Sequence, residues 1–232
     1  MIAVLIAGAV AMVLSLFGTR MLISFFDRIG KGQPILGSDD HGPVHHMKKQ
    51  GTATMGGIAI MVSAFIGWGA AHLRGGIALS DQAMIMWAIC GVLSVIGFLD
   101  DYLKVHRAQN RGIFWKKKGY ITFGLVVVMM TWLLLGTGVS ETLSFTRFDF
   151  PGWQLSPVLW VVWTSLMVWA TTNAVNVTDG LDGLAAGSAL FGFLAFTVIA
   201  YWAFRNPDIY NLVNPLDLAV FSAAMAGACG GF

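Results

Sequence analysis

Two short stretches of this chain contain carboxylates and amides, and both follow long apolar runs. The first, GFLDDYLKVHR at residues 97–107, contains Asp100 and Asp101, with Lys104 one helical turn further on. Adjacent carboxylates repel each other, whereas Mg²⁺ binds one or two carboxylates and shares substrate phosphates. The pair therefore predicts a magnesium-dependent site that handles phosphate. The alternative is a surface ion pair at a helix end.

The second stretch is NAVNVTDGLDG at residues 173–183. Its two asparagines and its first aspartate recur every third residue, which places them along one side of a helix. A helix-turn-helix with a capping aspartate explains the glycines and the last aspartate. It does not explain amides inside an apolar run, where polar groups are costly and usually mark a site. The polar and turn positions are Asn173, Asn176, Asp179, Gly180 and Asp182.

A third stretch, HHMKKQGTATMGG at residues 45–57, combines basic side chains with a small-residue helix start. Its lysines disfavour a metal site at the neighbouring histidines. Basic side chains and free backbone amides at a helix start can instead receive a phosphate. Lys48 is explained equally well by the positive charge that flanks membrane spans on their cytoplasmic side.

The elements that must position these residues are membrane helices. The chain has 232 residues, of which 56% are hydrophobic and only 11% charged, and its mean hydropathy is +0.72. A net charge of +2 gives no reason to expect a nucleic-acid partner. A span needs about 20 mostly apolar residues, and no run alternates as a strand would. We predict an all-α polytopic membrane protein with one integral domain over 1–232, comprising six transmembrane helices and the start of a seventh. The predicted spans are 3–26, 54–73, 82–99, 121–139, 157–178, 184–203 and 216–232.

Lysine and arginine are divided unequally between the connecting loops. Of the fourteen lysines and arginines, eleven lie in the loops 27–53 and 100–120 or next to them, and three lie in or near the loops on the opposite side of the membrane. The positive-inside rule then places the amino terminus outside and both basic loops in the cytoplasm. The acidic pair and the 173–183 stretch fall on the same cytoplasmic side.

The three stretches together, in this order and on cytoplasmic loops, resemble the phospho-N-acetylmuramoyl-pentapeptide transferases of bacterial cell-wall synthesis. These belong to the polyprenyl-phosphate N-acetylhexosamine-1-phosphate transferases. The resemblance covers essentially the whole chain. It implies a Mg²⁺-dependent enzyme of the bacterial cytoplasmic membrane with its active face in the cytoplasm. The reaction would move phospho-MurNAc-pentapeptide from UDP-MurNAc-pentapeptide to undecaprenyl phosphate, giving lipid I and UMP. The resemblance leaves open whether the protein forms a homodimer.

The resemblance also implies roles for individual residues. Asp100 and Asp101 match the catalytic acidic pair, with metal binding, deprotonation of the lipid phosphate and direct attack as alternative roles. The matches to substrate-contacting positions are Lys49, Thr54, Lys104, Asn176, Asp179, Gly180, Leu181 and Asp182.

Two departures qualify the resemblance. Ala53 stands where the family usually has proline, and the chain ends before a further metal-binding aspartate and a histidine-rich motif. We therefore expect a fragment that lacks the C-terminal third and is inactive alone. Two alternatives remain: a relative that uses UDP-GlcNAc, and an ion-coupled transporter, which would more often place its polar groups near mid-bilayer.

Overall fold

The computed structural model is a helical bundle and describes residues 1–29, 56–107, 115–143, 152–179, 183–210, 212 and 214–232. Seven of its helices coincide with the seven predicted apolar runs, so the all-α polytopic architecture is confirmed. Five of them are long and apolar enough to cross a membrane, and two have 17 residues. In chain order the helices are α1 Ile2–Ile29, α2 Gly57–Leu73, α3 Asp81–Arg107, α4 Trp115–Thr137, α5 Pro157–Thr178, α6 Leu184–Arg205, α7 Pro207–Tyr210 and α8 Pro215–Gly231.

Two helices extend beyond the predicted spans on the side that carries the acidic pair. Helix α3 continues to Arg107 and α4 begins at Trp115, whereas the apolar runs stop at 99 and start at 121. Asp100 and Asp101 therefore lie inside α3, and not at its end as predicted. Hydropathy detects the part of a helix that suits lipid, but charged residues at helical spacing continue the same helix outside it.

A two-stranded ladder in the loop before α5 was not predicted. Strand β1 (Thr142–Leu143) pairs antiparallel with β2 (Trp153–Gln154), with Thr142 opposite Gln154. Two residues are too short to show an alternating pattern, so the sequence contains no strand signal here.

Helix α8 forms the centre of the bundle and packs against α1, α2 and α6. Its small residues let two backbones meet: a Cβ added at Gly227 would clash with the carbonyl oxygen of Gly8 on α1, and one added at Gly231 would clash with the carbonyl oxygen of Met12. Small residues at such crossings allow the close approach that drives helix association in lipid. Helix α4 instead packs between α3 and α5.

A buried carboxylate joins three of these helices at one end of the bundle. Asp217, in the first turn of α8, has no exposed surface. Its Oδ1 accepts from Trp68 Nε1 at 2.7 Å, and its Oδ2 accepts from the Ser80 backbone N–H at 2.7 Å and from Ser80 Oγ at 3.0 Å. His72 Nε2 lies 3.2 Å from Oδ1. The last turn of α2 and the start of α3 are thereby tied to the start of α8.

The histidine in this cluster has one nitrogen whose role is determined by its partner. His72 Nδ1 lies 2.9 Å from the carbonyl oxygen of Trp68, which can only accept, so Nδ1 carries a hydrogen. His72 Nε2 lies beside Asp217 Oδ1 but makes no hydrogen bond to any described residue. The carboxylate is therefore held by three donors, the Trp68 indole and the two groups of Ser80.

Candidate functional site

The acidic pair lies in α3 at the opposite end from Asp217. About twenty residues of helix, roughly 30 Å, separate Ser80 from Asp100. Asp100 is buried, with 5% of its surface exposed. Its Oδ2 accepts a hydrogen bond from Lys118 Nζ at 2.9 Å, across the α3–α4 interface. An ammonium–carboxylate bond of this length is among the stronger contacts that side chains make.

The second carboxylate points in a different direction. Successive residues of a helix differ by about 100° in direction, so Asp101 leaves α3 at a different angle from Asp100. Asp101 is half-buried. Lys104 belongs to α3 one turn later, as its spacing predicted, but its side chain lies outside the described part of the chain.

Lys118 is partly exposed, with 23% of its side-chain surface accessible. It occupies the first turns of α4, next to Gly119. The site therefore presents one buried carboxylate, one half-buried carboxylate and one reachable ammonium group. An anion such as a phosphate could approach the ammonium group while Asp100 holds it in place.

Helix α5 contacts α4 beside this ion pair. Trp169 Nε1 donates a hydrogen bond to the Gly119 carbonyl oxygen at 3.1 Å. The same indole meets Phe123, one turn along α4, edge to face with ring centroids 6.2 Å apart. On α5 itself, Asn173 Nδ2 donates to the carbonyl oxygen of Trp169 at 2.7 Å. The first amide of the predicted polar series is therefore adjacent to the residue that contacts α4.

The rest of that series lies further along α5. Asn176 and Asp179 are exposed, and Asp179 follows the last residue of the helix, with its backbone N–H bonded to the Val175 carbonyl oxygen at 3.0 Å. Ten residues, or about 15 Å of helix, separate Trp169 from Asp179. The polar series thus extends from the level of the α4 contact to the end of α5.

The link to α6 is short and ends in a left-handed residue. Gly183, which precedes Leu184, has φ of +77°, a conformation that glycine adopts without a steric penalty. The predicted substrate positions Gly180, Leu181 and Asp182 lie outside the described residues. Lys49 and Thr54 of the basic stretch do so as well.

The donor chemistry of the acidic pair fits Mg²⁺. Carboxylate oxygens are its preferred protein ligands, and one or two are enough when substrate phosphates and water supply the others. Asp100 and Asp101 are the residues that would hold it. Within the described ranges, no three His, Cys, Asp or Glu side chains gather as a metal-holding group. A cavity of about 360 Å³ beside Asn214 and Asp217 lies at the other end of the bundle and is separate from this site.

The sequence did not single out two residues of the site. The charge pattern marks Lys118 as one member of a basic loop, and Trp169 falls within an apolar run. A Lys–Lys–Lys triplet gives no sign of which lysine turns towards the bundle. A tryptophan in a span is usually core or interface, so its hydrogen bond becomes visible only once α4 and α5 are packed.

These features define a multi-pass helical membrane protein with an acidic site between α3 and α4, and α5 packs through Trp169 against the same turn of α4. Residues 83–232 match the sequence model described as "Glycosyl transferase family 4". The chain belongs to that family.

Three similar curated proteins, each named phospho-N-acetylmuramoyl-pentapeptide-transferase, illustrate the likeness. The protein from Streptomyces griseus is 37% identical over 99% of this chain and 68% of its own length. The protein from Mycobacterium tuberculosis is 38% identical over 99% and 67%. The protein from Beutenbergia cavernae is 35% identical over 100% and 69%. The chain thus spans about two thirds of the length of these relatives.

Proposed function

We propose that this protein transfers phospho-MurNAc-pentapeptide from UDP-MurNAc-pentapeptide to undecaprenyl phosphate. The products are lipid I and UMP, and the reaction belongs to peptidoglycan synthesis. The relatives named for this activity align with nearly the whole chain. The single structural observation that supports it is the contact between Asp100 and Lys118, since it places a cation and two carboxylates of α3 together at one end of a membrane bundle.

Overall, the bond between the two phosphates of the UDP-linked donor breaks, UMP leaves, and the sugar-bearing phosphate becomes bonded to the lipid phosphate. The reaction brings a phosphate and a diphosphate together, so its main obstacle is accumulated negative charge. Catalysis of phosphoryl transfer consists largely of positioning and charge stabilisation. Lys118 supplies an ammonium group, and Asp100 fixes the position of that group from inside the bundle. Asp101 is half-buried and is therefore more exposed than the buried Asp100.

The acidic pair is also the proposed magnesium site. The bound cation would supply positive charge that neutralises the diphosphate. Further along α5 towards its end, the exposed Asn176 and Asp179 offer an amide and a carboxylate to the nucleotide sugar. We propose five further substrate contacts: Lys49, Thr54, Gly180, Leu181 and Asp182.

The site lies at a membrane surface because its two substrates require it. Undecaprenyl phosphate stays in the bilayer and the UDP-linked donor stays in water, so they meet only at an interface. The excess of lysine and arginine in the loops at this end of the bundle favours a cytoplasmic position for it. We propose the bacterial cytoplasmic membrane as the location, with the active face towards the cytoplasm.

Donor selectivity tests this function. Membranes containing the full-length protein are incubated with undecaprenyl phosphate, Mg²⁺ and either UDP-MurNAc-pentapeptide or UDP-GlcNAc, and UMP is measured. We expect UMP and a lipid-linked product from the first donor and background UMP from the second. Membranes from cells with an empty vector are the control. Release of UMP from UDP-GlcNAc alone would contradict the proposal.

A further inference from the structure

We propose that Trp169 is a positioning residue for the acidic site: its indole holds the first turns of α4 so that Lys118 reaches Asp100. The expected effect on kcat rests on the proposed function. The hydrogen bond from Trp169 to Gly119 does not depend on any activity.

The first step is the direction of the indole. Trp169 Nε1 donates to the carbonyl oxygen of Gly119, and the ring also packs edge-on against Phe123. These two α4 residues are four apart, so they lie on the same face of the helix. The indole therefore contacts a full turn of α4 at two points, one polar and one apolar.

The second step is the position of that turn. Gly119 directly follows Lys118, whose Nζ is 2.9 Å from Asp100 Oδ2. Trp169 and Asp100 hold the same turn of α4 from two neighbouring helices. Loss of the indole N–H removes the polar contact that holds this turn of α4, and the flexible side chain of Lys118 then has more freedom to leave Asp100.

The third step concerns the backbone of Trp169. The backbone carbonyl of Trp169 accepts the side-chain amide of Asn173 at 2.7 Å. One residue therefore joins the acidic pair, through Gly119 and Lys118, to the first member of the polar series on α5. This arrangement explains why a tryptophan stands where an aliphatic residue would fill the same space between two membrane helices.

Two variants separate this role from ordinary packing. Trp169→Phe removes the hydrogen-bond donor and keeps an aromatic ring against Phe123. The matched control is Trp163→Phe, which changes a partly exposed tryptophan on the same helix. A net hydrogen bond is worth about 0.5–1.5 kcal/mol, which corresponds to a factor of about 2 to 12.

The first measurement needs no activity. The purified full-length protein is treated briefly with an amine-reactive ester, and labelling of Lys118 is compared with that of the exposed Lys117 by mass spectrometry. We expect Trp169→Phe to raise the labelling of Lys118 relative to Lys117 about 2- to 12-fold, and Trp163→Phe to leave the ratio unchanged. An unchanged ratio in Trp169→Phe would overturn the proposal.

The second measurement is a double-mutant cycle on UMP formation. Trp169→Phe is expected to lower kcat by the same factor with little change in the KM of the donor, and to have no further effect in a Lys118→Gln background. An equal loss in both backgrounds would show that Trp169 acts only through general packing. If the unmodified protein forms no UMP, the proposed function fails, and the labelling ratio alone decides the inference.

Discussion

Replacement of Asp217 by asparagine should destabilise the bundle far more than an ordinary surface change. The carboxylate accepts three hydrogen bonds of 2.7–3.0 Å from Trp68 and Ser80, and lies 3.2 Å from His72. An asparagine of the same shape keeps one acceptor oxygen and turns an NH₂ group towards donors. At least one donor is left facing another donor.

The magnitude follows from burial. A buried donor left without an acceptor typically costs about 1–3 kcal/mol. At roughly 2–4 °C per kcal/mol for a chain of this size, the apparent melting temperature should fall by about 2–12 °C for each such donor. His72→Gln should cost less, because it leaves the three hydrogen bonds of Asp217 in place.

The assay is thermal unfolding of the detergent-solubilised protein at a fixed scan rate, with Asp208→Asn as the control. Asp208 is an exposed acid on α7, in the same region of the chain, and its replacement should shift the melting temperature by no more than about 2 °C. A shift of that small size for Asp217→Asn as well would refute the view that the buried carboxylate anchors α8.

Three further predictions concern packing, orientation and metal. Gly227→Ala should strongly destabilise the protein in the same melting assay, because the added Cβ would clash with the carbonyl oxygen of Gly8. The control Gly192→Ala, on α6, adds its Cβ to open space and should be neutral or slightly stabilising. Equal melting temperatures for the two variants would contradict the close α1–α8 contact. A cysteine at Lys117 should react with a membrane-impermeant maleimide only after the cells are opened, and one at Asp208 in intact cells; the reverse pattern would overturn the orientation. Chelation with EDTA should abolish UMP formation and excess Mg²⁺ should restore it, and activity that persists in EDTA would exclude the magnesium site.

The architecture was predictable because membrane helices leave a strong hydropathy signal. Every predicted apolar run corresponds to a helix, and the acidic pair was recognised from two adjacent carboxylates at a span boundary. The same signal placed the end of α3 too early, since lipid burial and helix formation are different properties. A charged extension such as the one that carries Asp101 is helical without being apolar.

The tertiary partners were not predictable from the sequence. Asp217 is one acid in an apolar run, and its partners Trp68 and Ser80 are 149 and 137 residues away. Lys118 lies 18 residues from Asp100 and on the next helix, so helical spacing says nothing about their contact. Gly227 is one of 28 glycines, and only the packed helices identify it as a point of backbone contact.

The central claim is that the acidic end of α3 carries out phosphosugar transfer. Its most direct test compares the full-length protein, Asp100→Asn and Asp81→Asn in the formation of UMP and lipid-linked product from UDP-MurNAc-pentapeptide and undecaprenyl phosphate. Asp81 is the matched control, because it is an exposed aspartate at the other end of the same helix. We predict that Asp100→Asn lowers the rate by at least about 100-fold, as loss of a charge-stabilising group does in other enzymes, and that Asp81→Asn changes it less than about 2-fold. A rate for Asp100→Asn within a few-fold of the unmodified protein would contradict the account.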